Sequence, residues 1–492
     1  MSAAEVTKNI RIKHADKLFI GGEWVAPSTG AKIAVVSPIT EEMIFSFAEA
    51  READVDRAVA AARKAFDEGP WPRLSPAERA GYIRKFSEAI AARNDELGHA
   101  WTNQTGMVHA LAGATKDFVC PIWDQHVGLA DTFEFEKEYA SLAGGGRGYI
   151  LREPIGVAAG IVPWNAPLLI SSLKLAPALL AGCTFILKAS PETPIEAYIL
   201  AEIAEEIGLP KGVLNVIAAD RTASEHLVRH RGVDKVSFTG STAVGKRVAS
   251  IVSERMGRYT MELGGKSAAI ILDDMSVEEA VAGLTADICI MSGQYCMALS
   301  RVIVPRRRHD DFASEFKRVF SAARVGDPYD PESDLGPLAM SRQLDRVLGY
   351  IGKGKEEGAT LVAGGGRPAG LDRGFFVEPT IFANVDNGMT IAREEIFGPV
   401  ISLIAAEDEG DAIRIANDSP FGLNGAVLTH DDDRAYQVMR QIRAGNVSQN
   451  RFRQDLTLGF GGYKESGVGR EGGADGLAAY LESKTVLLNN AR

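Results

Sequence analysis

Cys296 and Glu262 are the residues with the most chemistry in them. They lie 34 positions apart (296 − 262), in Gly293-Gln294-Tyr295-Cys296 and Met261-Glu262-Leu263-Gly264-Gly265-Lys266. A thiol attacks a carbonyl only as the thiolate, so Cys296 needs a setting that lowers its pKa or a nearby base. A helix arriving at the Gly293-Gln294 turn would leave the sulfur beside free backbone N–H groups. Those groups stabilise both a thiolate and the oxyanion it creates. Glu262 stands between an apolar strand and a Gly pair that lets backbone pass close to a ligand, a setting for a general base. Asn165, in Pro163-Trp164-Asn165, carries an amide that can donate to an oxyanion. Taken singly, each has a plainer reading: a packed thiol, a solvated strand-end Glu, a turn Asn.

Two further stretches suit an anion. Gly240-Ser241-Thr-Ala-Val-Gly245 follows a strand and opens a helix, offering N–H groups and a positive dipole end to a phosphate. With Lys246 it also fits P-loop spacing, but Arg247 stands where that loop needs Ser or Thr for magnesium. Lys188 closes the strand Thr184–Lys188; a snorkelling strand-end Lys is the alternative.

These residues need elements to position them. Lys17–Trp24 and Ile33–Val36 read as short strands, and Asp54 opens a helix with Val55, Val59, Ala62 and Phe66 on one face. Ser75-Pro76 with Glu78 starts a helix to about Ala92, and Asn94 restarts one to about Gly106. Lys137–Ile150, with its Ala-Gly-Gly-Gly run, reads as a segment leaving the first domain. From Val157 the chain alternates: strands at Val157–Val162, Thr184–Lys188, Val213–Ile217 and Val236–Thr239, with helices between. That pattern means a mostly parallel sheet covered by helices, with ligands at the strands' carboxyl ends. A second α/β series follows Gly265: strands at Ala268–Leu272, Arg301–Val304, Phe375–Phe382, Val400–Ala405 and Leu423–Leu428, and helices at Val277–Met291, Asp310–Ala323 and about Asp431–Ile442. A Gly-rich loop, Arg451–Gly473, precedes the terminal strand Thr485–Leu488.

The 492 residues are too many for one core, so two or three domains are expected. A net charge of −11 argues against nucleic acid or an anionic membrane surface as partner. No apolar signal core opens the chain and no run is long enough to span a bilayer. Cys120, Cys183, Cys289 and Cys296 form no metal-ligand pattern. A reducing cytoplasm is the expected location, and no metal is expected.

Read together, the stretches stop being independent. Pro163-Trp-Asn165, Lys188, Phe238-Thr-Gly-Ser-Thr-Ala-Val-Gly245, Glu262-Leu-Gly-Gly-Lys266, Gly293-Gln-Tyr-Cys296, Glu395-Ile-Phe-Gly-Pro399, Phe421-Gly-Leu423 and Phe460-Gly-Gly-Tyr-Lys-Glu-Ser-Gly467 occur in the order found in the aldehyde dehydrogenase superfamily. The chain resembles that superfamily over nearly its whole length. The resemblance implies a Rossmann-like NAD-binding domain (1–130 and 154–263), a second α/β catalytic domain (264–445), and a small β oligomerisation arm (131–153 and 474–492). Residues 446–473 would be a substrate and cofactor loop returning to the first domain. It implies Cys296 as nucleophile, Asn165 as oxyanion donor and Glu262 as the base that hydrolyses a thioester. Cofactor contacts would come from Ile161, Pro163, Trp164, Lys188, Pro191, Gly240, Ser241, Gly245, Leu263, Gly264, Glu395 and Phe397, and a substrate pocket from Ile170, Leu173, Tyr295, Met297, Phe452 and Phe460. The implied partners are a small-molecule aldehyde, NAD, and further copies of the chain in a dimer or tetramer.

Three departures from the family pattern matter. Pro191 stands where NAD-preferring members often carry an acid for the ribose 2′-OH, so NADP use is also expected. Met291 replaces an Asn five residues before the nucleophile, and Leu173 a substrate-pocket Trp. The apolar pocket residues favour a hydrophobic, aromatic or terpenoid aldehyde. Arg451 and Arg453 keep a semialdehyde acid open as the alternative. Rival readings are a P-loop nucleotide hydrolase on Gly240–Lys246, a non-catalytic structural relative, and a CoA-acylating enzyme; Glu262 favours hydrolysis over the last.

Overall fold

The computed structural model describes residues 7–141 and 146–489. Residues 1–6, 142–145 and 490–492 lie outside them, which takes in part of the 137–150 segment and of the 474–492 arm.

Five parallel strands make the centre of the first sheet, in the order Leu214–Ala218, Thr184–Ala189, Val157–Ile161, Lys235–Thr239, Arg258–Glu262. The middle strands are short apolar runs buried on both faces, as a parallel sheet between helices requires. The chain passes from Val157–Ile161 out to Leu214–Ala218, then crosses back to Lys235–Thr239. This reversal opens a crevice at the carboxyl ends of Val157–Ile161 and Lys235–Thr239. The loop carrying Asn165 leaves one of these strands and the turn at Gly240 leaves the other. The hairpin Leu18–Ile20/Glu23–Val25 and the short strand Gly467–Val468 add antiparallel edges.

The second sheet runs Thr360–Ala363, Thr380–Ala383, Val400–Ala406, Arg301–Pro305, Ala268–Ile271, Asn424–Leu428, Asn446–Gln449. It is parallel apart from its first pair. The helix Val277–Cys289, capped by Ser276, packs on it and ends just before Cys296. A third sheet of three strands joins Leu481–Leu488 to Arg147–Pro154 and Glu136–Ala140. Leu487, Leu488 and Tyr139 are exposed on it. Among the described residues no helix is long and apolar enough to cross a membrane.

Several local expectations change. Phe375–Phe382 is a strand only from Thr380 to Ala383. The Phe375 N–H bonds to Pro38, the Glu378 N–H bonds to Gly366, and Pro379 has no N–H to give a ladder. Asn446–Gln449, at the start of the segment assigned to the loop, is the edge strand of the second sheet. Asp54 does not open its helix. The helix is Glu52–Asp67, and the Asp54 carboxylate accepts the Arg51 N–H at 2.9 Å and the Ser28 hydroxyl at 2.7 Å. The helices Ser341–Glu356, Glu409–Asn417 and Thr115–Thr132 fall outside the elements expected from the sequence. The first starts at Met340 with no capping side chain, although Leu344, Val347 and Ile351 are buried at helical spacing.

Candidate active site

The approach to Cys296 is bent backbone. Met291, Ser292 and Gly293 take φ of 52°, 51° and 72° in succession, a left-handed run that costs free energy for the two non-glycines. At Gly293 a Cβ would lie 2.4 Å from the Gly398 carbonyl, so only glycine fits. Gln294 holds the bend. Its backbone N–H and its Nε2 both donate to the Met291 carbonyl at 3.0 Å, and its Oε1 accepts the Ala339 N–H at 2.9 Å. The Gln294 carbonyl accepts from Asn165 Nδ2 at 3.0 Å, and the Asn165 carbonyl accepts from Trp101 Nε1 at 2.8 Å. One amide proton of Asn165 therefore fixes the side chain and the other remains for a ligand.

Asn165, Glu262 and Cys296 line one cavity of about 1010 Å³. Ile170, Leu173, Tyr295, Met297, Phe452 and Phe460 line it too, together with Leu263. Phe118 and Leu458 also line it and are exposed large apolar side chains. Arg453 reaches the cavity and Arg451 does not.

Glu262 is only 3% exposed, and neither carboxylate oxygen has a hydrogen-bond partner among the described residues. Burial, reinforced by Glu471, raises its pKa well above the ordinary carboxylate value, with Lys174 and Arg470 opposing. Lys174 Nζ donates to Glu471 at 2.5 Å and to Ser237 Oγ at 3.0 Å, a buried cluster that sequence reasoning missed. Cys296 departs from expectation. Its own N–H and that of Met297 favour the thiolate, but burial, Glu395 and Glu262 outweigh them and push the thiol up. A setting that disfavours the thiolate calls for a base to take the proton as the sulfur attacks.

The remaining candidates lie outside this cavity. Ile161, Pro163 and Trp164 follow one crevice strand, and the Trp164 ring meets Phe397 edge-on at 5.4 Å. Gly240 and Ser241 follow the other. Ser241 caps the helix Thr242–Ser253 without a side-chain bond, leaving its hydroxyl and the first-turn N–H groups available. A Cβ at Gly245 would lie 2.3 Å from Leu263, and one at Gly264 would lie 2.4 Å from Glu395. Glu395 accepts the Gly265 N–H at 3.1 Å, and burial pushes it up to about 7. Lys188 is 6% exposed and is pushed down to about 8 by burial, with Glu192 and Asp220 opposing. Lys246 of the P-loop-like spacing turns away to Glu465 at 2.9 Å. Sequence reasoning also missed Glu192, next to half-buried Pro191: its carboxylate accepts from Ser190 Oγ and pairs with Arg342 at 2.5 Å. A buried cation, a carboxylate and an open helix N-terminus around one crevice fit a dinucleotide's ribose hydroxyls and pyrophosphate.

Comparison with known proteins places the chain in one family. The profile of the aldehyde dehydrogenase family matches residues 24–486. Geranial dehydrogenase of Castellaniella defragrans is 41% identical over 472 residues, 96% of this chain and 98% of that protein. The crystal structure of a Mycobacterium tuberculosis aldehyde dehydrogenase with NAD+ is 44% identical, with a TM-score of 0.95 over 97% of this chain and 99% of that one. Aldehyde dehydrogenase C of Pseudomonas syringae, solved as a cysteine-to-alanine mutant with NAD+ and octanal, is 40% identical, with a TM-score of 0.93 over 97% and 98%.

Proposed function

The chain belongs to the aldehyde dehydrogenase family, and from that premise we propose that it oxidises a hydrophobic aldehyde to the carboxylic acid with NAD. The observation that carries this reading is that Cys296, Asn165 and Glu262 share one cavity whose walls are largely apolar.

The Cys296 sulfur bonds to the aldehyde carbon as its proton passes to a neighbouring carboxylate. Glu395, whose charge reaches the sulfur and whose pKa is raised by burial, is the base for this proton, which leaves Glu262 free for the second half. The free Asn165 amide proton and the Cys296 N–H stabilise the thiohemiacetal oxyanion. Lys188, Ser241 and Glu395 would hold NAD, which would supply the hydride acceptor for this oxidation. Glu262 then takes a proton from water, which attacks the thioester carbon. The C–S bond breaks, the acid leaves, and the thiol is restored. Burial and the charge of Glu471 raise the Glu262 pKa, which makes it a stronger base than an ordinary carboxylate.

The apolar walls select by shape and desolvation, and exposed Phe118 and Leu458 extend that character outward. The relatives that act on geranial or were solved with octanal are consistent with this chemistry. Arg453 supports a second reading, a semialdehyde acid, since it lines the cavity; Asp117 and Asp455 line it too and disfavour an anion. An aldehyde panel decides between them. Octanal should exceed succinic semialdehyde in kcat/KM by at least about tenfold, about 1.4 kcal/mol. The reverse order, abolished by Arg453→Ala, would overturn the hydrophobic assignment.

A further inference from the structure

Asp287 is a buried acid in the last turn of the helix Val277–Cys289, 7% exposed. Both burial and the negative end of a helix disfavour a carboxylate there. It does not line the cavity, yet it holds two residues that do. Asp287 Oδ2 accepts the Phe452 N–H at 2.7 Å, and the Asp287 carbonyl accepts from the Tyr295 hydroxyl at 2.9 Å. The two rings meet edge-on, centroids 5.4 Å apart. Before Phe452 the chain is tied to the second sheet, where Asn450 Oδ1 accepts the Thr429 N–H at 2.9 Å. After it, residues 453–458 run along the cavity. The Phe452 N–H is thus an anchor at the point where the chain turns onto the cavity. Burial pushes Asp287 up to about 6, with the Phe452 N–H and the charge of Arg451 opposing.

We infer that Asp287 is a positioning residue for the aldehyde tail: it fixes the Tyr295–Phe452 ring pair against which the chain beyond the carbonyl packs. This rests on the reading that Cys296 attacks an aldehyde within the cavity. A short aldehyde does not need the pair, and a long one does, so Asp287 sets KM for length rather than the chemical step.

Steady-state kinetics with propanal and octanal test this in the wild type, Asp287→Ala, Asp287→Asn and Tyr295→Phe. Asp287→Ala should raise the octanal KM at least about tenfold while changing kcat and KM for propanal by less than about threefold. Asp287→Asn keeps an acceptor oxygen and should restore the octanal KM to within about threefold of wild type. Tyr295→Phe cuts only the hydroxyl arm and should raise the octanal KM by a smaller factor; if Asp287→Ala does not fold, an unchanged octanal KM in this variant overturns the inference. Equal losses on both aldehydes, no loss on either, or an Asn variant as impaired as the Ala variant also overturn it. A wild type inert toward both aldehydes overturns the underlying functional reading instead, and this one with it.

Discussion

At the scale of single residues, the site is a set of charges held away from their ordinary states. Burial raises Glu262 and lowers Lys188, and groups shifted in this way cluster at functional sites. Cofactor choice belongs to this scale. Pro191 removes the acid that would meet a ribose 2′-OH, but Glu192 follows it and its charge reaches Lys188. We expect NAD to be preferred with NADP still used, and Glu192→Gln to shift the kcat/KM ratio toward NADP by about tenfold, since it removes a repelling charge and frees Arg342. An unchanged ratio would show that this carboxylate does not face the ribose. Cys296, Glu262 and Asn165, singled out by their family-like motifs, come together in one cavity. Glu192's ion pair with Arg342, 150 positions away, and Lys174's with Glu471, 297 away, are contacts that no local pattern announces.

At the scale of elements, strands were easier to read than the places where backbone bonds leave the ladder. The parallel strands stood out as apolar runs, whereas Phe375–Pro379 looked like one and gives its N–H groups to loops. Gly293-Gln294-Tyr295-Cys296 is visible as a motif, but the left-handed run leading into it and the bracing by Gln294 depend on Gly398 and Ala339, far along the chain. Element stability carries a pH signature. Glu196, in the helix Ile195–Glu206, accepts from Gln104 Nε2 at 2.7 Å and is raised by burial from 4.5 to about 7. The unfolded chain loses this proton near 4.5 while the folded one keeps it until about 7. The stability contribution is therefore full below 4.5 and is lost as pH rises to 7. Glu196→Gln should gain on the wild type across that window, by on the order of 2 kcal/mol. Thermal unfolding at about pH 5 and about pH 8 checks this; a difference between the two proteins that does not change with pH would place the burial penalty elsewhere.

At the scale of the whole molecule, two α/β sheets meet at a crevice and a small sheet stands apart from them. Exposed Leu487, Leu488 and Tyr139 on the small sheet suit a partner copy. Deleting Thr485–Arg492 removes the pairing of Thr485–Leu488 with Arg147–Ile150, and light scattering should find dissociated or insoluble protein; an intact, active oligomer would remove the arm from assembly. In the proposed reaction one cavity runs two successive half-reactions, and Glu262 is needed only for the second. The direct test is stopped-flow absorbance of the reduced cofactor with Glu262→Gln, followed by mass analysis of the quenched protein. A burst of about one reduced cofactor per site is expected, then a stall with the acyl group on Cys296. Steady turnover near the wild-type rate, or a burst with no adduct on Cys296, would contradict it.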